Sequence, residues 1–464
     1  MTGDAGTSMI DQVRRAVSKC EIVPRVGKVT QYFGMAVESN GPDVFLGEIC
    51  QIYPPHTRRP VSAEVVGFRD GRVILMPYDT LHGVHVGSEI TATNESAKMP
   101  VGPDLLGRVL DAFGQPVDDL GATEPVEYYP LHPEPINHLT RQPIDEPLVT
   151  GVGVIDSCLT VGKGQRMGIF AGSGVGKSTL LGMIAENSQA QVNVIALIGE
   201  RGREVLDFIH KNLGEAGLKK SIVIVAGADQ PALVRTRAAF AATAVAEYFR
   251  NQGSDVMLAM DSLTRFAMAQ REIGLAVGEP PTSRGYTPSS FSMMPKLLER
   301  AGNFATGGSI TGFYTVLVEG DDFNEPVTDN LRAILDGHIV LSRNLANQNW
   351  LPAVDILQSA SRLLGDLIDE SHANAIADLK RLLSLHQESK DIIDMGIYQR
   401  GNNPDLDRAV DILPRIQSLF SQPASVTADP SHVLNELKGF LHTDSAGASS
   451  RPRRPQRPAR ELRA

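Results

Sequence analysis

Apolar and polar positions change rhythm several times along the chain. Residues 25–97 carry short β-rich runs: Gly27–Thr30, Gly34–Glu38, Val44–Ile49, Ser62–Phe68 and Arg72–Met76. Turn signals separate them, notably Asn40-Gly41-Pro42 and Asp70-Gly71. Several short strands in so short a stretch predict a small closed β-barrel, since closure removes exposed sheet edges. Ahead of it, in residues 1–24, Ile10, Val13, Val17 and Cys20 recur at offsets of three or four, behind a Ser8/Asp11 capping pattern. A helix that short needs something to pack on. Its own domain and a separate partner both satisfy that need. Residues 98–150 are irregular and proline-rich, with Pro130, Pro133, Pro135, Pro143 and Pro147. Proline fixes φ and removes donors, so this stretch reads as a connector wrapping the next domain.

From 151 to 345 the rhythm becomes strand–helix–strand. Expected strands are Arg166–Phe170, Val192–Ile198, Ser221–Val225, Val256–Met260, Ser309–Val318 and His338–Leu341. Their runs are apolar rather than alternating, as in strands buried on both faces. Helical patterns at Lys177–Glu186 and Leu233–Phe249 lie between them. This predicts an α/β domain with a largely parallel sheet. From 346 to 442 strand signals fade and Leu363–Ile368, Ile376–Leu385 and Leu413–Leu419 show helical spacing, so a helical C-terminal domain is expected. Residues 443–464 form an Arg/Pro-rich tail expected to be disordered.

Composition narrows the function class. Of 464 residues 42% are hydrophobic and 21% charged, which fits a folded protein. No apolar run approaches a membrane span, and the N-terminus lacks a signal-peptide core, so a cytoplasmic protein is expected. Three cysteines, Cys20, Cys50 and Cys158, are too few for a disulfide scaffold and fit no zinc spacing. The net charge is −10, yet the last twenty residues hold six arginines against one glutamate. The body is therefore more acidic still, which argues against a broad nucleic-acid surface.

The strongest chemical signal is Ala171-Gly172-Ser173-Gly174-Val175-Gly176-Lys177-Ser178-Thr179, between an apolar strand and a helical pattern. Glycines let backbone N–H groups turn toward phosphate oxygens, and the helix N-terminus adds positive partial charge. Lys177 can reach β- and γ-phosphates, and the Ser178 hydroxyl can join a Mg²⁺ shell. Ala171 stands where the usual pattern has its first glycine, a position that closes the strand. Asp261 ends the apolar strand Val256–Met260, which puts a carboxylate at the C-terminal edge of the sheet, where ligands bind in open α/β folds and where it can hold Mg²⁺. Glu200, in Gly199-Glu200-Arg201, follows another strand and is placed to orient an attacking water.

These pieces together resemble the catalytic subunits of rotary ATP synthases, and more closely their protein-export branch. The match covers about residues 25–440. Met260 to Gly274 (MDSLTRFAMAQREIG), Gly278 to Pro288 (GEPPTSRGYTP), Leu297 to Gly302 (LLERAG) and Val318 to Pro326 (VEGDDFNEP) are similar to the flagellar and type III secretion ATPases. The loop wording, Ala171 included, is similar to the flagellar branch. The resemblance implies a P-loop, RecA-like core between a small barrel and a helical domain. It also implies a homohexameric ring that hydrolyses ATP with Mg²⁺ at its subunit interfaces. Glu200 takes the catalytic acid's position, Arg201 and Arg265 contact phosphate, and Arg362 in Ser359-Ala360-Ser361-Arg362 is the arginine finger of the neighbouring site. Implied partners are a peripheral regulator at the N-terminus, a central stalk protein, an export gate and chaperone–substrate complexes, with peripheral membrane association only and no nucleic acid.

One place departs from the pattern. The family usually has an aromatic residue on adenine just before the proline of Pro352-Ala353-Val354-Asp355; here Leu351 is there, preceded by Trp350. Either side chain is a candidate for covering the base. The other functions weighed are a virulence-associated secretion ATPase, a proton-driven synthase subunit, a ring translocase of nucleic acid and a nucleotide-binding scaffold. The export-type strings count against the synthase, the acidic body against the translocase, and the full set of Lys177, Glu200, Asp261 and Arg362 against the scaffold.

Overall fold

The computed structural model describes residues 25–56 and 59–443. The expected N-terminal helix and C-terminal tail lie outside them. Six antiparallel strands close a barrel in the spatial order Val26–Phe33, Ala36–Asn40, Arg72–Pro77, Val61–Arg69, Glu48–Tyr53, Glu89–Ser96. Val37, Cys50, Ile52, Ala63, Leu75 and Ile90 fill it. The Asp70-Gly71 turn has both residues at positive φ (50° and 74°), the geometry a two-residue hairpin needs.

Two barrel strands depart from the sequence expectation. The third begins at Glu48 rather than Val44, leaving Phe45 and Leu46 exposed. The buried Glu48 carboxylate anchors that start: it accepts from Arg25 (3.0 Å), the Phe45 amide (3.1 Å) and the Asn94 amide (2.8 Å). The sixth strand, Glu89–Ser96, was not expected. It buries only Ile90 fully, so its own pattern is polar, and pairing on both sides defines it.

The proline-rich connector does more than wrap. Its segment Val109–Asp111 joins the central sheet as an edge strand parallel to Ser221–Gly227. That sheet has nine strands. Eight run in the order Ala360–Ser361, Gly337–Leu341, Arg166–Ala171, Ser309–Leu317, Val256–Asp261, Val192–Glu200, Ser221–Gly227, Val109–Asp111. All neighbours on this path are parallel except the first pair, and the ninth strand, Gly302–Asn303, pairs antiparallel with Ser309–Leu317. Parallel order sends the ends of seven strands to one edge, among them Ala171, Glu200, Asp261, Leu317 and Leu341.

Both faces of the sheet are covered, as its apolar runs demand. Along Val192–Glu200, Val194, Ala196 and Ile198 pack in one core with helices Ala232–Asn251 and Leu263–Val277. Ile195 and Leu197 pack in the other with helix Lys177–Asn187. The barrel is fastened to this body by Arg237. Its guanidinium lies over the rings of Phe113 and Tyr78 and donates to the carbonyls of Lys98 (2.7 Å) and Ala112 (3.0 Å). The barrel's Arg69 also donates to the Val277 carbonyl (2.6 Å) at the end of helix Leu263–Val277.

Beyond the sheet, helices Glu370–Glu388, Pro404–Phe420 and Pro430–Thr443 pack on one another, and the last also meets the short helix Gly153–Cys158. The architecture is an α/β core between a β-barrel and a helical region, as expected from the sequence. Two of the C-terminal helices are longer than their apolar spacing showed, because polar N-caps at Asp369 and Asn403 start them a turn or more earlier, whereas the expected run Leu363–Ile368 forms only the single turn Leu364–Leu367.

Candidate active site at the C-terminal edge of the sheet

Strand Arg166–Ala171 runs into the loop and helix Lys177–Asn187. Gly174 (φ 77°) and Gly176 (φ 103°) take left-handed backbone there, which side-chain-bearing residues resist. The loop borders a cavity of about 610 Å³, which Ser178, Thr179, Glu200, Arg201 and Arg265 also line. Strand order explains this convergence: Ala171, Glu200 and Asp261 each end a parallel strand, so they share one edge.

Lys177 holds the centre. Its ammonium pairs with Asp261 Oδ1 and lies 3.9 Å from Glu200 Oε1. Asp261 is 2% exposed, and Thr315 Oγ1 donates to the same Oδ1 at 2.8 Å. Among the described residues no hydrogen bond reaches Asp261 Oδ2. Burial pushes the Glu200 carboxyl up to about 8, aided by a hydrogen bond with Glu204 and by the charge of Asp261, while Lys177 opposes the rise. Glu204 is held below the usual carboxylate range by that same hydrogen bond. Within the pair the proton is favoured on Glu200 over Glu204.

Arg201 is exposed and 3.5 Å from Glu204. Arg265 starts helix Leu263–Val277, which Ser262 caps. Its Nε is buried and has no hydrogen-bond partner among the described residues, which leaves a cationic donor beside the cavity. It packs over Gly199, whose φ is 68° and where a Cβ would stand 3.1 Å from Arg265 Cβ. Sequence reasoning passed over Gly199 and Thr315. The first had a signal, a glycine directly before the strand-end acid. The second had none, since Ser309, Thr311 and Tyr314 carry hydroxyls in the same strand.

A second, apolar cavity of about 370 Å³ shares Gly176 and Thr179 with the first. Met183, Leu351, Pro352 and Pro423 line it. Leu351 is 44% exposed, whereas Trp350 is 7% exposed and belongs to the core beneath. The segment Ser421–Ala424, from after helix Pro404–Phe420, closes the far side, and Gln422 fixes it by donating its backbone amide to the Leu351 carbonyl (2.9 Å). No motif marked that segment.

Arg362 is not brought to this edge. It follows Ala360–Ser361, which pairs with the beginning of Gly337–Leu341. Its amide donates to the Asp336 carbonyl (2.9 Å), and its guanidinium to the Arg332 carbonyl (2.8 Å) at the end of helix Pro326–Ile334. Ala171 pairs with Leu341, at the other end of that strand. Arg362 is level with Asp336, so five residue rises, about 17 Å, separate it from the level of the P-loop.

Residues 151–361 match the nucleotide-binding domain of the ATP synthase alpha/beta family, 29–94 its β-barrel domain, and 368–439 the C-terminal domain of the type III secretion ATPase EscN. The flagellum-specific ATP synthase of Bacillus subtilis is 52% identical over 86% of this chain and 91% of its own. The chain belongs to this family. Within it, it is a flagellar-type export ATPase. Its likeness to the flagellum-specific ATP synthase of Salmonella typhimurium is 48% over 92% of this chain and 96% of that protein. The type 3 secretion system ATPase of Xanthomonas euvesicatoria is 44% identical over 94% and 98%. Among solved structures, assembled EscN from enteropathogenic E. coli superposes with a TM-score of 0.84 at 42% identity, over 89% of this export ATPase and all of that chain. EscN has also been solved in complex with its central stalk EscO.

Proposed function

We propose that this export ATPase forms a homohexamer and hydrolyses Mg-ATP at its subunit interfaces, to deliver or unfold substrates of a flagellar export apparatus. The observation that carries the reading is the position of Arg362. Lys177, Glu200 and Asp261 share one edge of the sheet, and Arg362 faces away at the other end, so one chain supplies the two halves of a site to different neighbours. A head-to-tail ring brings such halves together.

In this reading the loop amides from Gly172 to Thr179 and Lys177 cradle the triphosphate, and Arg201 and Arg265 contact its oxygens. The donor set suits Mg²⁺: the Ser178 hydroxyl and Asp261 Oδ2 are hard oxygens, and one carboxylate with substrate phosphates is a usual Mg²⁺ shell. The bound ion would neutralise charge on the β- and γ-phosphates. Glu200 orients the attacking water and accepts its proton. It is neutral without nucleotide, so its proton must leave to the open cavity before it can act as base. Arg362 of the preceding copy then stabilises charge on the transferring phosphoryl group.

Leu351 and Pro423 cover the base by apolar contact. Leu351→Ala is expected to raise the KM for ATP about fivefold, with kcat within about twofold, for the loss of roughly 1 kcal/mol of apolar contact. Steady-state kinetics read both numbers.

Among the described residues no helix is long and apolar enough to cross a membrane. We place the enzyme in the cytoplasm at the inner membrane face, with residues 1–24 meeting a peripheral regulator and the ring enclosing a stalk protein. The export gate and chaperone–substrate complexes are its further partners. The test of the ring is hydrolysis as a function of protein concentration with mass measured in parallel. Specific activity should climb as hexamer forms. Constant activity in a confirmed monomer would remove Arg362 from the site and the ring from the mechanism.

A further inference from the structure

Strand Ser309–Leu317 is buried nearly throughout: Ile310, Phe313, Tyr314 and Val316 are fully enclosed, and so is Thr315. A hydroxyl in such a place, where valine has the same shape, costs free energy unless it is paired. Thr315 Oγ1 lies 2.8 Å from Asp261 Oδ1 and 3.2 Å from the Met260 carbonyl. It has one proton to donate, and the shorter, charge-assisted contact to the carboxylate takes it. Register explains the meeting. Met260 pairs with Tyr314, so Asp261 and Thr315 are level on adjacent strands.

We propose that Thr315 is a positioning residue for Asp261: its hydroxyl holds Oδ1, so that Oδ2 is left facing the Mg²⁺ of the nucleotide. The proposal rests on the reading of this edge as a Mg-ATP site. Oδ1 is also the oxygen that Lys177 pairs with, while among the described residues no hydrogen bond fixes Oδ2. In that reading Lys177 turns to the phosphates when nucleotide arrives. Without Thr315, its departure would leave Oδ1 of a 2% exposed carboxylate without a partner and free to rotate. Thr315 keeps one orientation of the carboxylate in both states, whichever way the lysine points.

The test is a Mn²⁺ titration of the nucleotide-loaded full chain, read by electron paramagnetic resonance, alongside nucleotide binding in EDTA. Thr315→Val and Thr315→Ala should weaken Mn²⁺ binding about tenfold or more, the scale of a hydrogen bond to a charged group. Thr315→Ser should stay within about twofold of the parent, and metal-free nucleotide affinity should change less than about twofold in all three. Parent-like Mn²⁺ affinity in Thr315→Ala, or a serine variant as impaired as the alanine one, overturns the proposal. The serine–alanine comparison decides the matter even if the valine variant does not fold. A parent protein with no nucleotide-dependent Mn²⁺ site overturns the Mg-ATP reading itself, and the proposal with it.

Discussion

Arg362→Ala is expected to lower kcat by about 10³-fold, the lower end of what arginine fingers supply, while ATP binding to the variant stays near that of the parent. The asymmetry follows from position. The guanidinium is exposed and rests on backbone carbonyls at the end of helix Pro326–Ile334, so nothing in its own P-loop depends on it. Folding should suffer little, since a surface contact at a helix C-terminus contributes roughly 0.5–1 kcal/mol. Mixing supplies the sharper result. Lys177→Ala removes the phosphate-binding half of a site and leaves the finger. In randomly mixed rings of the two inactive variants, about a quarter of head-to-tail interfaces regain both halves. Hydrolysis should reappear on mixing. Mixed rings, confirmed by native mass spectrometry, that remain inactive would mean that Arg362 does not act across the interface.

Glu200→Gln should bind Mg-ATP and turn it over about 10²–10⁴-fold more slowly, the range for losing a positioned acid–base group. Glutamine keeps the size and the donor of the neutral acid that Glu200 is before nucleotide binds. It cannot take a proton from water. The raised value has two pH consequences. For the parent, kcat/KM should increase with pH up to about 8, because that ratio reports ionisations of the free enzyme. In the variant this acid limb should vanish. The second consequence concerns stability. Between the ordinary carboxylate value, 4.5, and about 8, the unfolded chain ionises Glu200 while the folded chain keeps the proton. The folded state then binds more protons, so this group's contribution to stability falls as pH rises through that window. Glu204, shifted the other way, contributes stability that is constant across this window and is lost only as pH falls below 4.5. Glu200→Gln should therefore raise the thermal midpoint by a few degrees, about 2 °C, at pH 8 and by less at pH 5. A midpoint gain that is the same at both pH values would remove the buried ionisation as its cause.

The site residues were legible unevenly, for a physical reason. The P-loop, Glu200 and Asp261 each sit directly after an apolar run. A parallel sheet gathers strand ends at one edge, so reading the strands already places these residues together. The apolar cavity beside the P-loop was only half legible. Leu351 stands in a motif, but whether it or Trp350 meets the cavity depends on how the chain turns at Asn349–Pro352, and the closing segment Ser421–Ala424 comes from another part of the chain. The strand Glu89–Ser96 escaped notice because six of its eight residues are polar and its partners, Val26–Phe33 and Glu48–Tyr53, are distant in sequence. The edge strand Val109–Asp111 was hidden by the prolines around it.

What the sequence determined by itself is local: loop, strand-end acids, turn glycines, and the order of barrel, α/β core and helices. Each depends on neighbours a few positions apart, through φ/ψ limits and the period of burial. Only the tertiary structure decided which atom meets which. It set Thr315 and Lys177 on one oxygen of Asp261, raised the Glu200 carboxyl by burial beside Glu204, put Leu351 rather than Trp350 at the apolar cavity, and turned Arg362 away from its own P-loop. Those outcomes depend on strand order and register, which are fixed by pairing across dozens to hundreds of residues, and on the loss of water, which no stretch of sequence carries alone.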